Sequence, residues 1–437
     1  MLYLFLITSI IYIGMIIISE HKTSIALIGS GVLLIIGVLT ESFDVNMAFS
    51  NFPSEIIILL IVLTLFSDNF ERLGLINYIG YRYIGLSRES KVIIMITVPF
   101  MMYFVSMFMN NLTVVLLFTY MALYFAVEYH LPVIPLLVSI VIGSNIGGAA
   151  LPWADTPAVI ITLYTDFTLI DFMNKLFVPC LVFSLALCFY TLLWYKKTRI
   201  KKREMPFKVK PYVDWKGSIL PLILFLLYIV GISIAPFYDI SIAYISLIFG
   251  GLLLFTDRKK AIDALNDLHI MDSISFFIAL FIIAGVLQSS GILEEAAKYI
   301  MNCTDNNPYL IVLSVLFLSF LISTFLSAGP ATATLLPICA ALTVFVPFKL
   351  VYTALALGIL SGSSMFPWSA TGGPILLSQT NEFLKMPHIR DEIEESEKIR
   401  IRKINSVKEY ITFSIPFALF MLIASAIYLC VYVEILA

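Results

Sequence analysis

Residues 92 to 127 contain no Asp, Glu, Lys or Arg, and neither do residues 306 to 348. Each stretch is long enough to enter a hydrocarbon layer of about 30 Å and come back out of it. Inside lipid a backbone must satisfy its own polar groups, so such stretches fold as helices. Further apolar runs lie at about 2–19, 23–39, 56–70, 131–165 and 172–195, then at 218–235, 240–256, 273–287, 350–378 and 409–433. Only 13% of the chain is charged and 60% is hydrophobic, against about a quarter charged in a soluble domain. The expected fold is an all-α polytopic membrane protein embedded in a lipid bilayer. A net charge of −2 gives no basic excess for a nucleic acid.

Several chemistries lose their support at this level. The five cysteines (Cys180, Cys188, Cys303, Cys339, Cys430) show no CxxC spacing and read as inert thiols, mostly within apolar runs. His21, His130, His269 and His388 fall in loops or at helix ends, and no HExxH is present. No Walker A, nucleophile elbow or GxGD appears, so an enzyme is not expected. The run from Leu2 has no basic residue before it and no small-residue cleavage site before Glu20, so it reads as a retained helix.

Comparing the halves reveals an internal repeat. A shift of 217 residues lays 2–19 on 219–236, 23–39 on 240–256 and 56–70 on 273–287, and brings Asn110-Asn111 onto Ser327-Ala328. A shift of 215 puts Pro152-Trp153 on Pro367-Trp368, Thr156 on Thr371 and Asp155 on Ala370. The division is 1–195 as first repeat (hairpin 92–127, broken helix 131–165) and 196–216 as basic linker. The second repeat is 217–437, with hairpin 306–348, broken helix 350–378 and a charged segment at 379–408.

Basic residues set the orientation. With the N-terminus outside and each charge-free stretch returning to the face it entered from, 24 of the 27 Lys and Arg fall inside. The nine in the central linker then mark the cytoplasm, and Lys175, Lys298 and Lys349 lie outside. The same arrangement makes the halves inverted: five transmembrane helices plus one hairpin each, about ten spans and two re-entrant hairpins. Two full crossings per stretch would give the same charge topology, so both forms stay open.

Four small-polar stretches interrupt the apolar background. They are Asn110-Asn111-Leu112-Thr113, Gly143 to Pro157 (GSNIGGAALPWADTP), Ser327 to Thr334 (SAGPATAT) and Ser361 to Pro374 (SGSSMFPWSATGGP). Gly and Pro break a helix at mid-membrane, freeing N–H groups that favour an anion and carbonyls that favour Na+. Such residues also line plain helix contacts, but four stretches at repeat-related positions point to a binding site. Asp155 is the acid embedded in them. A carboxylate near the bilayer centre costs about 2.5–3.5 kcal/mol on insertion scales, which marks it as a Na+ or H+ carrier. It is also well placed to cap the half-helix opening at Thr156-Pro157. Residues Glu382 to Glu409 read as a charged cytoplasmic helix on the membrane surface, with i,i+4 ion pairs around Ile389, Ile393, Ile399 and Ile404.

The run GSNIGGAALPWADTPAVI resembles the "SNIGG…(T)P.G.PPN" break of the ion transporter superfamily, which includes citrate transporter-like permeases, divalent anion/sodium symporters, arsenite permeases and sodium/proton antiporters. FVSMFMNNLTVVLLF resembles that group's "S.F.(D/S)N.(T/A)T..L" tip, and FLSAGPATATLLP its second tip. The resemblance implies a scaffold and a transport unit working by alternating access, usually as a homodimer. It carries ligand roles to Asn110, Asn111, Thr113, Ser144, Asn145, Ser327, Thr332, Ser361, Ser363 and Ser364. Gly147, Gly148, Asp155, Thr156, Gly329 and Thr371 stand in the same motifs, and Na+ would sit at Asn111, Ser144, Asn145 and Asp155. The chain departs from the pattern at Ser327-Ala328-Gly329, which lacks the second-tip Asn, and at Asp155-Thr156-Pro157-Ala158. The expected function is secondary transport of a small, carboxylate-like anion with Na+ or H+ coupling and no further cofactor. Na+/H+ exchange or arsenite efflux is the alternative.

Overall fold

Two glycine pairs fix the centre of the molecule. A computed structural model describes residues 2–17, 21–40, 90–108, 111–197, 215–234, 240–256, 292–305, 307–370, 372–385 and 395–436, with isolated positions between 58 and 73 and between 275 and 290. In the first half run α1 (Leu2–Ile17), α2 (Lys22–Thr40), α3 (Lys91–Ser106), α4 (Asn111–Glu128), α5 (Val133–Ala150), α6 (Thr156–Tyr164) and α7 (Val178–Lys197). In the second run α8 (Trp215–Ile234), α9 (Ile242–Thr256), α10 (Ile292–Cys303), α11 (Pro308–Phe325), α12 (Ala328–Leu342), α13 (Phe348–Ser363), α14 (Gly373–Lys385), α15 (Glu395–Arg402) and α16 (Val407–Leu436). No strand occurs among the described residues.

Helix α5 packs along α3, and α13 packs along α11. A Cβ added at Gly143 would lie 2.8 Å from the carbonyl O of Pro99, and one at Gly147 2.2 Å from that of Tyr103. The same contact recurs 215 residues on: Gly358 would meet the Leu316 carbonyl O at 2.4 Å and Gly362 that of Phe320 at 2.2 Å. Each pair is a GxxxG, and only a bare Cα admits so close a backbone, the way helices associate without a hydrophobic force between them. Helices α5 and α13 are therefore the buried core, and both are interrupted.

The expected helices are found with shifts of a few residues at their ends. Charge-free stretch 92–127 is α3 plus α4, and 306–348 is α11 plus α12; broken helices 131–165 and 350–378 are α5 with α6 and α13 with α14. The runs 56–70 and 273–287 and the linker 198–214 lie largely outside the described residues. Helix α10 was not expected, because Glu294, Glu295 and Lys298 hide it from an apolar-run criterion. Helix α7 is entered through a capped turn Leu169–Phe172, where Thr168 and Asp171 form a capping box, and a π turn Met173–Phe177.

The charged segment departs from expectation. Helix α14 runs on to Lys385, and among the described residues α15 carries i,i+3 pairs (Lys398–Glu395, 3.1 Å; Arg400–Glu397, 2.6 Å) and no i,i+4 pair. Ile401 and Ile404 are fully buried whereas Ile399 is exposed. Ile401 and Ile404 are thus covered by the bundle, and Ile389 and Ile393 lie outside the described residues. Five described helical spans, Thr23–Thr40, Val133–Ala150, Leu169–Tyr195, Pro308–Phe325 and Val407–Tyr432, are long and apolar enough to cross a membrane. Phe255 and Leu39 stand exposed on α9 and α2, as lipid-facing side chains would.

Candidate functional site

Helix α5 stops at Ala150 because Leu151 is extended and Pro152 follows, and α6 begins again at Thr156 with Pro157 in its first turn. Asp155 occupies the N-cap with extended backbone, yet its side chain makes no capping bond. It turns instead toward α4, where Asn111 Nδ2 donates to its Oδ2 at 3.1 Å. The capping expectation thus holds for the position of Asp155 and fails for its carboxylate. Gly148 makes room for this turn: a Cβ there would stand 2.7 Å from Asp155 Cβ.

Asn111, the first residue of α4, is fully buried and donates both of its amide protons. Its Nδ2 also donates to Asn145 Oδ1 at 3.2 Å, while its Oδ1 lies 2.7 Å from Ser106 Oγ. Ser106 Oγ is also 2.8 Å from the Ser144 carbonyl O, so one proton serves two acceptors. Asn145 Nδ2 in turn faces the Ser363 carbonyl O and Ser364 Oγ, both at 3.4 Å. One polar chain therefore joins the tip between α3 and α4, the break after α5 and the break after α13. Within a buried site such a network fixes each amide's orientation.

A small cavity of about 20 Å³ opens beside this chain, with Asn145, Gly148, Asp155, Pro157, Ala328 and Ser363 in its wall. Pro157 and Ala158 belong to the first turn of α6, and Ala328 is the first residue of α12, so two helix N-termini face one space. Their free N–H groups carry partial positive charge. The remaining wall is apolar, from Ala149, Ile161, Phe172, Ala356, Ile359 and Leu360, and Asp155 is the ionisable group in it.

The expected residues divide into three groups. Asn111, Asn145, Asp155, Ser363 and Ser364 come together, with Gly147 and Gly148 shaping the space around them. Ser144 supplies its carbonyl, since its hydroxyl bonds back to Val141 O at 2.9 Å; Thr332 and Ser361 likewise donate to their own helices, at Ala328 O and Leu357 O. Ser327 is the N-cap of α12 without a side-chain cap bond, Gly329 is buried in its first turn and Thr156 is half-buried. Asn110, Thr371 and the side chain of Thr113 lie outside the described residues. Ser106 was not picked out from the sequence, although a lone serine five positions before Asn111 in an apolar helix was the available signal.

Known proteins place the chain. The citrate transporter family matches residues 10–362. Magnetosome protein MamN of Magnetospirillum gryphiswaldense is 23% identical over 94% of this chain and 95% of its own length. A 46 kDa membrane protein of Mycobacterium leprae is 22% identical over 82% of this chain and 85% of its own, and an uncharacterized transporter of Mycobacterium tuberculosis is 23% identical over the same shares. In fold, the chain is similar to the YdaH transporter of Alcanivorax borkumensis, with a TM-score of 0.57 at 13% identity, covering 89% of this chain and 86% of that one. The matched family and the M. tuberculosis and YdaH proteins are transporters rather than enzymes, and the apolar helices agree with an integral membrane protein. The chain belongs to the citrate transporter family.

Proposed function

We propose that the protein is a secondary active transporter that moves a small carboxylate-like anion by alternating access, coupled to Na+ or H+. The observation that carries this reading is the convergence of the α6 and α12 N-termini on one cavity that also holds Asp155. Oriented N–H groups attract an anion without a buried lysine or arginine. An ionised Asp155 repels that same anion. At an effective dielectric constant near 20, two like charges 4 Å apart cost about 4 kcal/mol. Neutralising Asp155, by a proton or by Na+, removes this penalty and ties anion binding to the ion.

The two halves are read as inverted repeats, each of five spanning helices and one hairpin, with the N-terminus outside and residues 196–216 cytoplasmic. Support comes from the GxxxG contact that recurs 215 residues on and from the distribution of basic residues. The homodimer follows from the family resemblance. Sizing of the detergent-solubilised protein tests it.

Na+/H+ exchange, or arsenite efflux, is favoured by one fact: the cavity wall holds an acid and no Lys, Arg or His. Thermal stabilisation by citrate, succinate and other anions, with and without Na+, separates the readings. A ligand at 100–1,000 times its Kd stabilises by about 2.7–4.1 kcal/mol. Stabilisation by an anion supports anion transport, and stabilisation by Na+ or acid alone supports exchange.

A further inference from the structure

The charged segment after α14 is bonded to the far end of the helix that carries Asn111. Arg400 donates from Nη1 to the Leu131 carbonyl O at 3.0 Å and from Nη2 to the Ala126 carbonyl O at 2.6 Å. Ala126 lies in the last turn of α4, where its carbonyl also accepts from Leu131 N at 3.2 Å, and Leu131 lies in the turn that leads into α5. Glu397 holds the guanidinium at 2.6 Å through Oε2, and its Oε1 lies 2.8 Å from His130 Nδ1. His130 itself turns the corner with φ 49, a left-handed conformation rare for a residue other than glycine. Beyond α15, Asn405 Nδ2 donates to Asn381 Oδ1 of α14 at 2.7 Å. Ile401 and Ile404 are buried beneath these bonds.

These contacts tie one segment to α4, the α4–α5 corner and α14. Helix α4 also leans on the second break, where a Cβ at Gly372 would lie 2.5 Å from Val115 Cγ2. Eighteen residues of helix make α4 a rod of about 27 Å, with the strap's bonds at one end and Asn111 at the other. We propose that Glu395–Asn405 is a strap that sets the position of α4 from outside the site: docked, it holds Asn111 against Asp155, and undocked, it frees α4 to move as a gate. Arg400 is then a positioning residue for Asn111. The gating sense rests on the transport reading above, whereas the docking does not.

Hydrogen–deuterium exchange of the full chain in lipid nanodiscs, without ligand, tests this on wild type and Arg400→Gln. The strap predicts at least tenfold faster exchange along α4 from residue 115 to 128, with α11, to which none of these bonds runs, unchanged. Faster exchange confined to the last turn, 125–128, would reduce Arg400 to a local cap and overturn the proposal, as would no change. Glu397→Gln keeps the bonds to the carbonyls and is expected to give a smaller rise with the same spread. It is judged by the same two outcomes if Arg400→Gln does not fold. Loss of flux with this exchange pattern intact would fault the transport reading and leave the strap standing.

Discussion

Asn111 donates from Nδ2 to Asp155 Oδ2 at 3.1 Å, joining the start of α4 to the break after α5 across 44 residues of chain. Through this bond the one carboxylate in the cavity wall is held by an amide with no proton left for a ligand. Asn111 thus acts on Asp155, and Asp155 on whatever enters.

Replacing Asp155 with Asn removes the charge and keeps the shape. Flux in proteoliposomes is expected to fall at least tenfold or to lose its dependence on the ion gradient, while yield and elution stay those of wild type. Unchanged ion dependence would remove Asp155 from coupling.

Asn111→Ala takes the donor from Asn145 Oδ1 and from Asp155 Oδ2 in a buried site, while Ser106 Oγ keeps the Ser144 carbonyl O. Leaving buried polar groups unpaired costs roughly 1–3 kcal/mol, so thermal unfolding in detergent should shift down measurably. Ser106→Ala should cost less, about 1 kcal/mol, because it removes one proton shared between Asn111 Oδ1 and the Ser144 carbonyl O. The double variant should show non-additive losses, as residues in one network do. Strict additivity would mean the two side chains do not interact.

Gly147→Ala and Gly362→Ala each drive a methyl to 2.2 Å from a facing carbonyl oxygen. Overpacking of this kind costs about 1–3 kcal/mol. Gly31→Ala and Gly251→Ala meet nothing within 4 Å and should be neutral or slightly stabilising, given alanine's helix preference of up to about 1 kcal/mol. Equal melting temperatures for all four would contradict the packing described.

Lys349 Nζ pairs with Asp171 Oδ1 at 2.7 Å, the carboxylate being buried and the lysine 42% exposed. Lys349→Met should cost only roughly 1 kcal/mol, because solvent screens the lysine and Thr168 still caps through Asp171 Oδ2. A double-mutant cycle with Asp171→Asn measures the coupling. Zero coupling would place the start of α13 under other control.

Both interruptions were legible because Gly, Pro and small polar residues stand out in an apolar run: Ala150 to Thr156 breaks where GGAALPWADTP predicts. The side-chain directions were not. Whether Asp155 caps α6 or faces Asn111 depends on the space beside Gly148, which is set by tertiary packing. Ser106 was hidden for the same reason, since its acceptors come from α4 and α5. Arg400 read as one charge of an ion-paired surface helix because its partners, Ala126 and Leu131, are backbone carbonyls with no signature in sequence.

Uptake of labelled citrate or succinate into proteoliposomes, under an inward Na+ gradient or an inward pH gradient at zero membrane potential, tests the coupled-anion account most directly. The account predicts accumulation above equilibrium by wild type under at least one gradient and none by Asp155→Asn. No accumulation of either anion by wild type, or equal accumulation by the variant, would contradict it.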